Sequence, residues 1–283
     1  MVKSKRYEKI SYPDISFPFV MRTVHVKSSN FSSSLHNHPE IEIQYIHQGS
    51  GFYFIKNKKY SLSKNILLII HPYEVHNFIP SSSSLYKTSI IFHPKIFSGK
   101  FGENIEKLLK FNSKHQIFLT EQEGNEIEII LKRMEKEFRE KKKFWKEIII
   151  SELFSFVLFI NRVASRKQSV QKKSTSHPLI ERTISYIEKN FSEKITLFEI
   201  AKIINCSPYH LSHIFKKYTG MSFKKYLTVY RISIAKQFLE KTDLKVSAIA
   251  MKVGFSNFQS FNISFKKYTE LTPTTYRKFY SQS

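Results

Sequence analysis

Tyr209, Ser212, His213, Lys216 and Lys217 fall on one side of a helical wheel, and Leu211, Ile214, Phe215 and Tyr218 fall on the other. Phenol, hydroxyl and imidazole groups can exchange hydrogen bonds with base edges, and paired lysines can hold phosphate oxygens. That is the chemistry of a helix that reads a DNA groove. A second such set follows, in which Gln259, Ser260, Asn262, Ile263, Lys266 and Lys267 face away from Phe258, Phe261 and Phe265. The segment Phe215-Lys-Lys-Tyr-Thr-Gly220 returns as Phe265-Lys-Lys-Tyr-Thr-Glu270. A repeat of two is a bipartite reader, not a solenoid.

These side chains need short, well-terminated helices to present them. Thr196 with Glu199 is a capping box that starts a helix striped by Leu197, Ile200, Ala201 and Ile204. Ser207 then caps a second helix with Pro208 at its first position, and Gly220 stops it. The second unit repeats this with Val246, Ile249 and Ala250, a turn Gly254-Phe255-Ser256, and a capping box from Ser256 to Gln259. One extra residue then separates that cap from the terminal Phe-Lys-Lys, so the two reading helices are expected to differ slightly in register. Between the units, Ser222 caps a helix with Phe223, Leu227, Tyr230, Ile234 and Phe238 at helical spacing, running to about Glu240. Its length of roughly 27–29 Å suits two helices entering successive major grooves about 34 Å apart. An ordinary helical bundle would explain the apolar stripes but not the recurrence of caps, turns and basic ends together.

The first half differs in texture. Short β-rich pieces at 41–47, 51–56, 59–61, 66–70, 76–79 and 88–92, with turns at Gln48–Gly51 and Lys56–Lys58, read as a small antiparallel barrel or sandwich. His36, His38 and Glu42 share one parity, so on a single strand they would face the same side, with His76 on a later strand. Residues 122–140 and 143–164 read as two helices. The first is striped by Ile127, Ile130, Leu131, Met134 and Phe138, and the second is too broadly apolar to stand alone. Residues 167–176 are polar and aperiodic and read as a linker. The expected organisation is α+β, with a sensor and dimerisation domain over 1–166, the linker, and an all-α domain with two helix-turn-helix units over 177–283.

Composition is compatible with this. The net charge of +23 and pI near 9.8 favour polyanions, although about half of that excess precedes residue 171, where lysine-rich coding bias explains it as well. A nonspecific nucleoid or RNA binder would rest on charge alone and leaves two capped reading helices unexplained. Cys206, the single cysteine, excludes an intramolecular disulfide and falls where a buried apolar residue fits; redox sensing is the rival role for it. The opening residues carry no secretion signal, and the longest apolar stretch, 148–160, is too short to span a bilayer. A cytoplasmic protein is expected.

The motifs Ile249-Ala250, Val253-Gly254-Phe255-Ser256, Phe265-Lys266-Lys267 and Thr272-Pro273 to Tyr276-Arg277 resemble the DNA-binding domain of the AraC/XylS family of bacterial transcription regulators, over residues 177–280. The resemblance implies base contact from Tyr209, Ser212 and His213 and from Gln259, Ser260, Asn262 and Ile263. His213 and Ile263 stand where relatives often carry arginine, and Lys245 replaces a small polar cap. The spacing His36-x-His38-x3-Glu42-x6-Gly49 and the segment Pro72 to His76 resemble the two cupin motifs. That resemblance implies a cupin-like barrel whose His36, His38, Glu42 and His76 hold a divalent metal or line a small-effector pocket. Together they imply a regulator that binds double-stranded promoter DNA, dimerises through the helical pair, and, as an activator, meets RNA polymerase. The rival reading is a metal-dependent cupin enzyme fused to a DNA-binding domain, with Glu40 or Glu74 as its acid or base.

Overall fold

The structure is a computed structural model that describes residues 12–14, 17–27, 36–56, 58–80, 84–97, 108, 115–166 and 177–280. The expected linker, 167–176, and the chain before residue 12 lie outside them. Strands β1 (Phe19–Lys27), β7 (Ser84–Phe92), β2 (Ile41–Gln48), β5 (Ile66–Ile70) and β8 (Gln116–Phe118) form one antiparallel sheet in that order, while β4 (Lys58–Leu62), β3 (Gly51–Ile55) and β6 (His76–Pro80) form another. Of the barrel or sandwich expected, the strands form two separate antiparallel sheets, so the cupin-like barrel is corrected to one that does not close. Three strands of five residues each make the second sheet too narrow to reach both edges of the first. Strands β1 and β8 were not legible as strands.

Strand alternation sorts the side chains into two cores. Ile41, Ile43 and Tyr45 of β2 face one way, with Leu67, Ile69, Ile90 and Phe92. Ile46 faces the other, toward Tyr53, Ile55, Leu62, Leu68 and Phe78 between the sheets, and by parity Glu42 and Gln44 share that side. The outer face of the large sheet is covered by α1 (Glu121–Glu140) and α2 (Trp145–Ala164) through Ile127, Leu131, Met134, Leu153, Phe156 and Val157. The broad apolar surface of α2 is thus met within the chain. Thr120 and Glu123 form the capping box that starts α1.

The second half is helical: α3 (Pro178–Asn190), α4 (Leu197–Ile203), α5 (Pro208–Thr219), α6 (Phe223–Lys241), α7 (Val246–Lys252), α8 (Phe258–Thr269) and α9 (Pro273–Tyr280). Helix α6 belongs to two cores. Phe223, Tyr226, Leu227 and Val229 pack with α3, α4 and α5, whereas Ile232, Ala235 and Leu239 pack with α7, α8 and α9. Ser222 stands at its N-cap without a side-chain capping bond. The stripe read from the sequence understates this helix, because Ser233, Lys236 and Glu240 are buried as well. A helix buried almost all round joins several bodies. Lys245, which precedes α7, makes no side-chain capping bond.

Candidate functional site

The first reading helix, α5, starts as its sequence requires. Ser207 accepts a hydrogen bond from the His210 N–H at 3.2 Å, and Gly220 closes the helix at φ 76°. Leu211 and Phe215 are buried, while Tyr209, Ser212, His213, Lys216 and Lys217 are exposed, Tyr209 at 84%.

The second reading helix, α8, corrects the expected cap. Asn257 and not Ser256 is the N-cap: its Oδ1 accepts from the Ser260 N–H at 2.8 Å. Gly254, at φ 87°, turns the chain so that Phe255 enters the core, Ser256 is left exposed, and the next residue reaches the helix end. The extra residue therefore sits in the turn, ahead of the helix. Ser207 to Phe215 and Asn257 to Phe265 span the same number of residues, and α5 and α8 are both 12 residues long. The expected difference in register does not exist. Tyr209 matches Gln259, Ser212 matches Asn262, His213 matches Ile263, and the lysine pairs coincide.

Gln259, Ile263, Lys266 and Lys267 are exposed, whereas Ser260 and Asn262 are half-buried. Ser260 Oγ donates to the Asn257 carbonyl at 3.0 Å, so that hydroxyl is engaged at the helix start. Phe258, expected on the core face, is 44% exposed and rests against Phe261 at a ring separation of 6.4 Å. Cys206 is half-buried against the first core.

At the other end of the chain, His36, His38, Glu42 and His76 converge, each offering a ligand-type atom within 4.8 Å of the others. They do not share a strand. His36 pairs with His76 as an isolated β-bridge, His38 lies in the following loop, Glu42 is on β2, and His76 opens β6. His38 Nε2 and His76 Nε2 each lie 3.1 Å from the same Glu42 Oε2. The opposite nitrogens fix the tautomers: His38 Nδ1 lies 3.2 Å from the Glu40 carbonyl and His76 Nδ1 lies 2.8 Å from the Glu74 carbonyl. A carbonyl only accepts, so both Nδ1 atoms carry hydrogen, and each Nε2 presents a lone pair unless the ring is protonated.

Burial works against charge here, but the imidazoles of His38 and His76, both facing its Oε2, hold Glu42 well below the usual carboxylate range. Burial likewise opposes protonation of His38, yet Glu42 and Glu40 raise its pKa. Gln44 donates to the second Glu42 oxygen. His76 Nε2 is buried and has no aligned hydrogen-bond partner despite its closeness to Glu42. Nitrogen and carboxylate donors at this spread, with backbone carbonyls orienting two imidazoles from behind, fit a divalent transition metal with bonds of about 2.0–2.2 Å.

The neighbours of this cluster bind the helical half. Asn37, between two of the histidines, accepts from the buried Lys236 ammonium of α6 at its carbonyl (2.9 Å) and its Oδ1 (3.0 Å), and donates to the Val229 carbonyl at 3.4 Å. Glu40 accepts from Tyr12 and, at 3.5 Å, from Tyr280 of α9. His93 Nδ1 accepts from the Lys95 N–H, so its Nε2 donates to Glu240 of α6 at 3.2 Å. Val75 is buried in the core of the first reading unit. Burial lowers the Lys236 pKa to about 8, against the charge of Glu40, and raises that of Glu240 to about 7.

A cleft of about 660 Å³ opens along the same seam, between Lys56, His71 and Glu74 on the sheet side and Glu188, Tyr226 and Tyr230 on the helical side. The space between the sheets, expected to hold an effector, contains the packed side chains of Tyr53, Leu68, Phe78 and their neighbours. Sequence reasoning did not single out Asn37, Lys236, His93 or Glu240. Nothing local marks a contact across 199 residues, although a lysine at a helical position otherwise suited to burial was a signal.

Residues 18–105 match the AraC-like ligand binding domain family, and residues 200–278 match a helix-turn-helix domain family. The HTH-type transcriptional regulator YtdP of Bacillus subtilis is 43% identical over 95 residues, covering 34% of this chain and 12% of that protein. The bifunctional transcriptional activator/DNA repair enzyme AdaA of the same organism is 35% identical over 117 residues, covering 41% and 56%. The HTH-type transcriptional regulator YfiF, also from Bacillus subtilis, is 24% identical over 264 residues, covering 90% and 82%. The chain thus spans less than two thirds of the first two relatives. No helix among the described residues is long and apolar enough to cross a membrane.

Proposed function

We propose, from the premise that this chain belongs to the AraC-like transcription regulators, that it is an activator that reads a promoter through α5 and α8 under the control of a small effector bound by its sensor half. The observation that carries this is the matched presentation of two exposed, basic-ended helices on one connecting helix. Tyr209, Ser212, His213, Gln259 and Asn262 contact base edges, Ile263 offers apolar contact, and the four lysines hold phosphates. Ser260 helps fix the start of α8. RNA polymerase is the further partner of an activator, and the cytoplasm is where such a regulator works.

The exposed Ile129 and Ile148 on the helical pair give a homodimer its contact surface. The enzyme reading is the weaker one: Glu74 is held by Lys56 at 2.9 Å and His115 at 2.8 Å, and Glu40 is only 1% exposed. Selection of bound duplexes from a random-sequence pool by the full chain tests the proposal. Two conserved half-sites are expected to be enriched; recovery of DNA without sequence preference, with only a steep salt dependence, would leave a nonspecific polyanion binder.

A further inference from the structure

The repeat that begins at Phe215 and Phe265 keeps a constant offset to its end, and so carries Tyr226 and Tyr230 of α6 onto Tyr276 and Tyr280 of α9. Both tyrosine pairs lie on the seam with the sensor half. Each has a glutamate near it, Glu188 of α3 for the first pair and Glu240 of α6 for the second. Burial chiefly, and then the charge of Glu188, raises the pKa of Tyr226 and of Tyr230. Burial chiefly, with Glu40 and Glu240 among the further causes, does the same to Tyr276 and Tyr280.

The two places are finished differently. At the second, the sensor half closes directly: Tyr280 donates to Glu40 at 3.5 Å, and Glu240 accepts from His93 Nε2 at 3.2 Å. At the first, the sensor half also brings an imidazole and an ammonium, but Glu74 takes both, from His115 at 2.8 Å and Lys56 at 2.9 Å. Among the described residues Glu188 is left exposed, with no hydrogen bond or ion pair. Between the two walls lies the cleft of about 660 Å³, a volume typical of small-ligand sites.

We propose that this cleft binds a small organic amine, whose ammonium pairs with Glu188 beside Tyr226 and Tyr230 and whose body lies against the sensor turn 71–75. The amine completes for the first reading unit the contact that the second makes with the chain's own side chains. This rests on the regulator reading above and names the seat and the chemical class of its effector.

Charge decides the class. With the imidazoles of His71 and His115 neutral, the lining holds one ammonium, Lys56, against two carboxylates, Glu74 and Glu188. One negative charge is left over, in a chain whose net charge is +23. Glu74 stays ionised, its pKa drawn down to about 2 against burial by His115 and Lys56. An anion would have to displace Glu74 from those partners, whereas an ammonium finds Glu188 unpaired. Phenol rings add attraction for a cation that approaches their faces, and the Gln237 carbonyl in the same lining can accept a further hydrogen bond.

The position of the cleft decides the consequence. Helices α3 and α6 enclose the core on which α5 is seated, while Lys56 and the turn 71–75 belong to the sensor half. A ligand that touches both walls binds only the docked arrangement of the halves, and by linkage it stabilises that arrangement.

Titration calorimetry on the full-length protein tests this, with phenethylamine and putrescine as amine probes and phenylacetate and succinate as anions of matched shape. At least one amine is expected to bind at one site per chain, and neither anion. Glu188→Gln should weaken that binding about tenfold or more, and Lys56→Met, which leaves Glu74 short of its cation, should strengthen it severalfold. Hydrogen exchange should slow on both walls when the amine is bound, in α3 and in the turn 71–75. The proposal is overturned by absence of amine binding, by binding of an anion that Lys56→Met abolishes, or by amine binding indifferent to Glu188→Gln. Slowing on one wall only overturns the bridging role. Duplex selection tells the two readings apart: sequence-specific selection by a protein that binds neither amine sinks this inference and leaves the regulator reading intact, whereas amine binding by a protein without sequence preference does the reverse.

Discussion

At the scale of single residues, the cap of α8 gives the sharpest distinction. Asn257 satisfies the Ser260 N–H, so Asn257→Ala should cost about 1 kcal/mol in chemical unfolding. Ser256→Ala should cost only a few tenths; the reverse ranking would restore the cap read from the sequence. On the exposed faces, Ser212→Ala and His213→Ala should each weaken specific binding by about 1–3 kcal/mol while sparing nonspecific DNA. Lys216→Ala and Lys267→Ala should weaken both kinds together. Parallel losses in a titration of all four variants would overturn the assignment of faces. Lys236 supplies a pH signature. Its ammonium faces Glu40 and the acceptors of Asn37, and its pKa falls from 10.5 in the unfolded chain to about 8 in the fold. Between those values the unfolded state binds more protons, so the stability of the native protein relative to Lys236→Met should rise with pH, by at most about 1.4 kcal/mol per unit. A flat difference in urea unfolding from about pH 8 to about pH 9.5 would show that the lysine is not buried as described.

At the scale of elements, the turn before α8 explains both what was legible and what was not. Caps and stops at Thr196, Ser207 and Gly220 are local signals, and each sits where its spacing placed it. Ser256 and Asn257 are adjacent residues of equal capping quality. The choice between them is made by the left-handed Gly254 and the burial of Phe255, which depend on packing. Gly254 also lies against the end of α3, where an added Cβ would come within 2.6 Å of the Ser192 carbonyl. Gly254→Ala should therefore destabilise the second unit by more than the roughly 1 kcal/mol expected of an ordinary glycine change, seen as early loss of α7 and α8 protection in hydrogen exchange. Unchanged protection would remove the turn from this account. The strands followed the same logic. Ile66–Ile70 matched its apolar run, but β1, with Arg22, Thr23 and His25 in its middle, and the three-residue β8 carry no periodic signal that separates them from loop.

At the scale of the whole molecule, the four cluster residues were nameable from type and spacing, yet their convergence depends on a β-bridge between His36 and His76 that parity could not show. The seam between the halves was invisible for the same reason, since its contacts join residues 147 to 240 positions apart. The apolar breadth of α2 required a packing partner, and the sheet takes up most of that surface, whereas a dimer through the helical pair was implied by the family resemblance alone. Light scattering on the full chain decides whether the remaining exposed residues suffice, with the mass of two chains expected and the mass of one counting against it. The central claim is bipartite reading by two helices in the same register on a connecting helix of 19 residues, about 28 Å long. Footprinting on a selected duplex, before and after insertion of five base pairs between the protected segments, tests it most directly. Two segments on one DNA face, centred about 10 base pairs apart, should be protected, and the insertion should reduce binding to that of a single unit. Protection of one segment only, or an insertion that changes affinity by less than a few tenths of a kcal/mol, would contradict it.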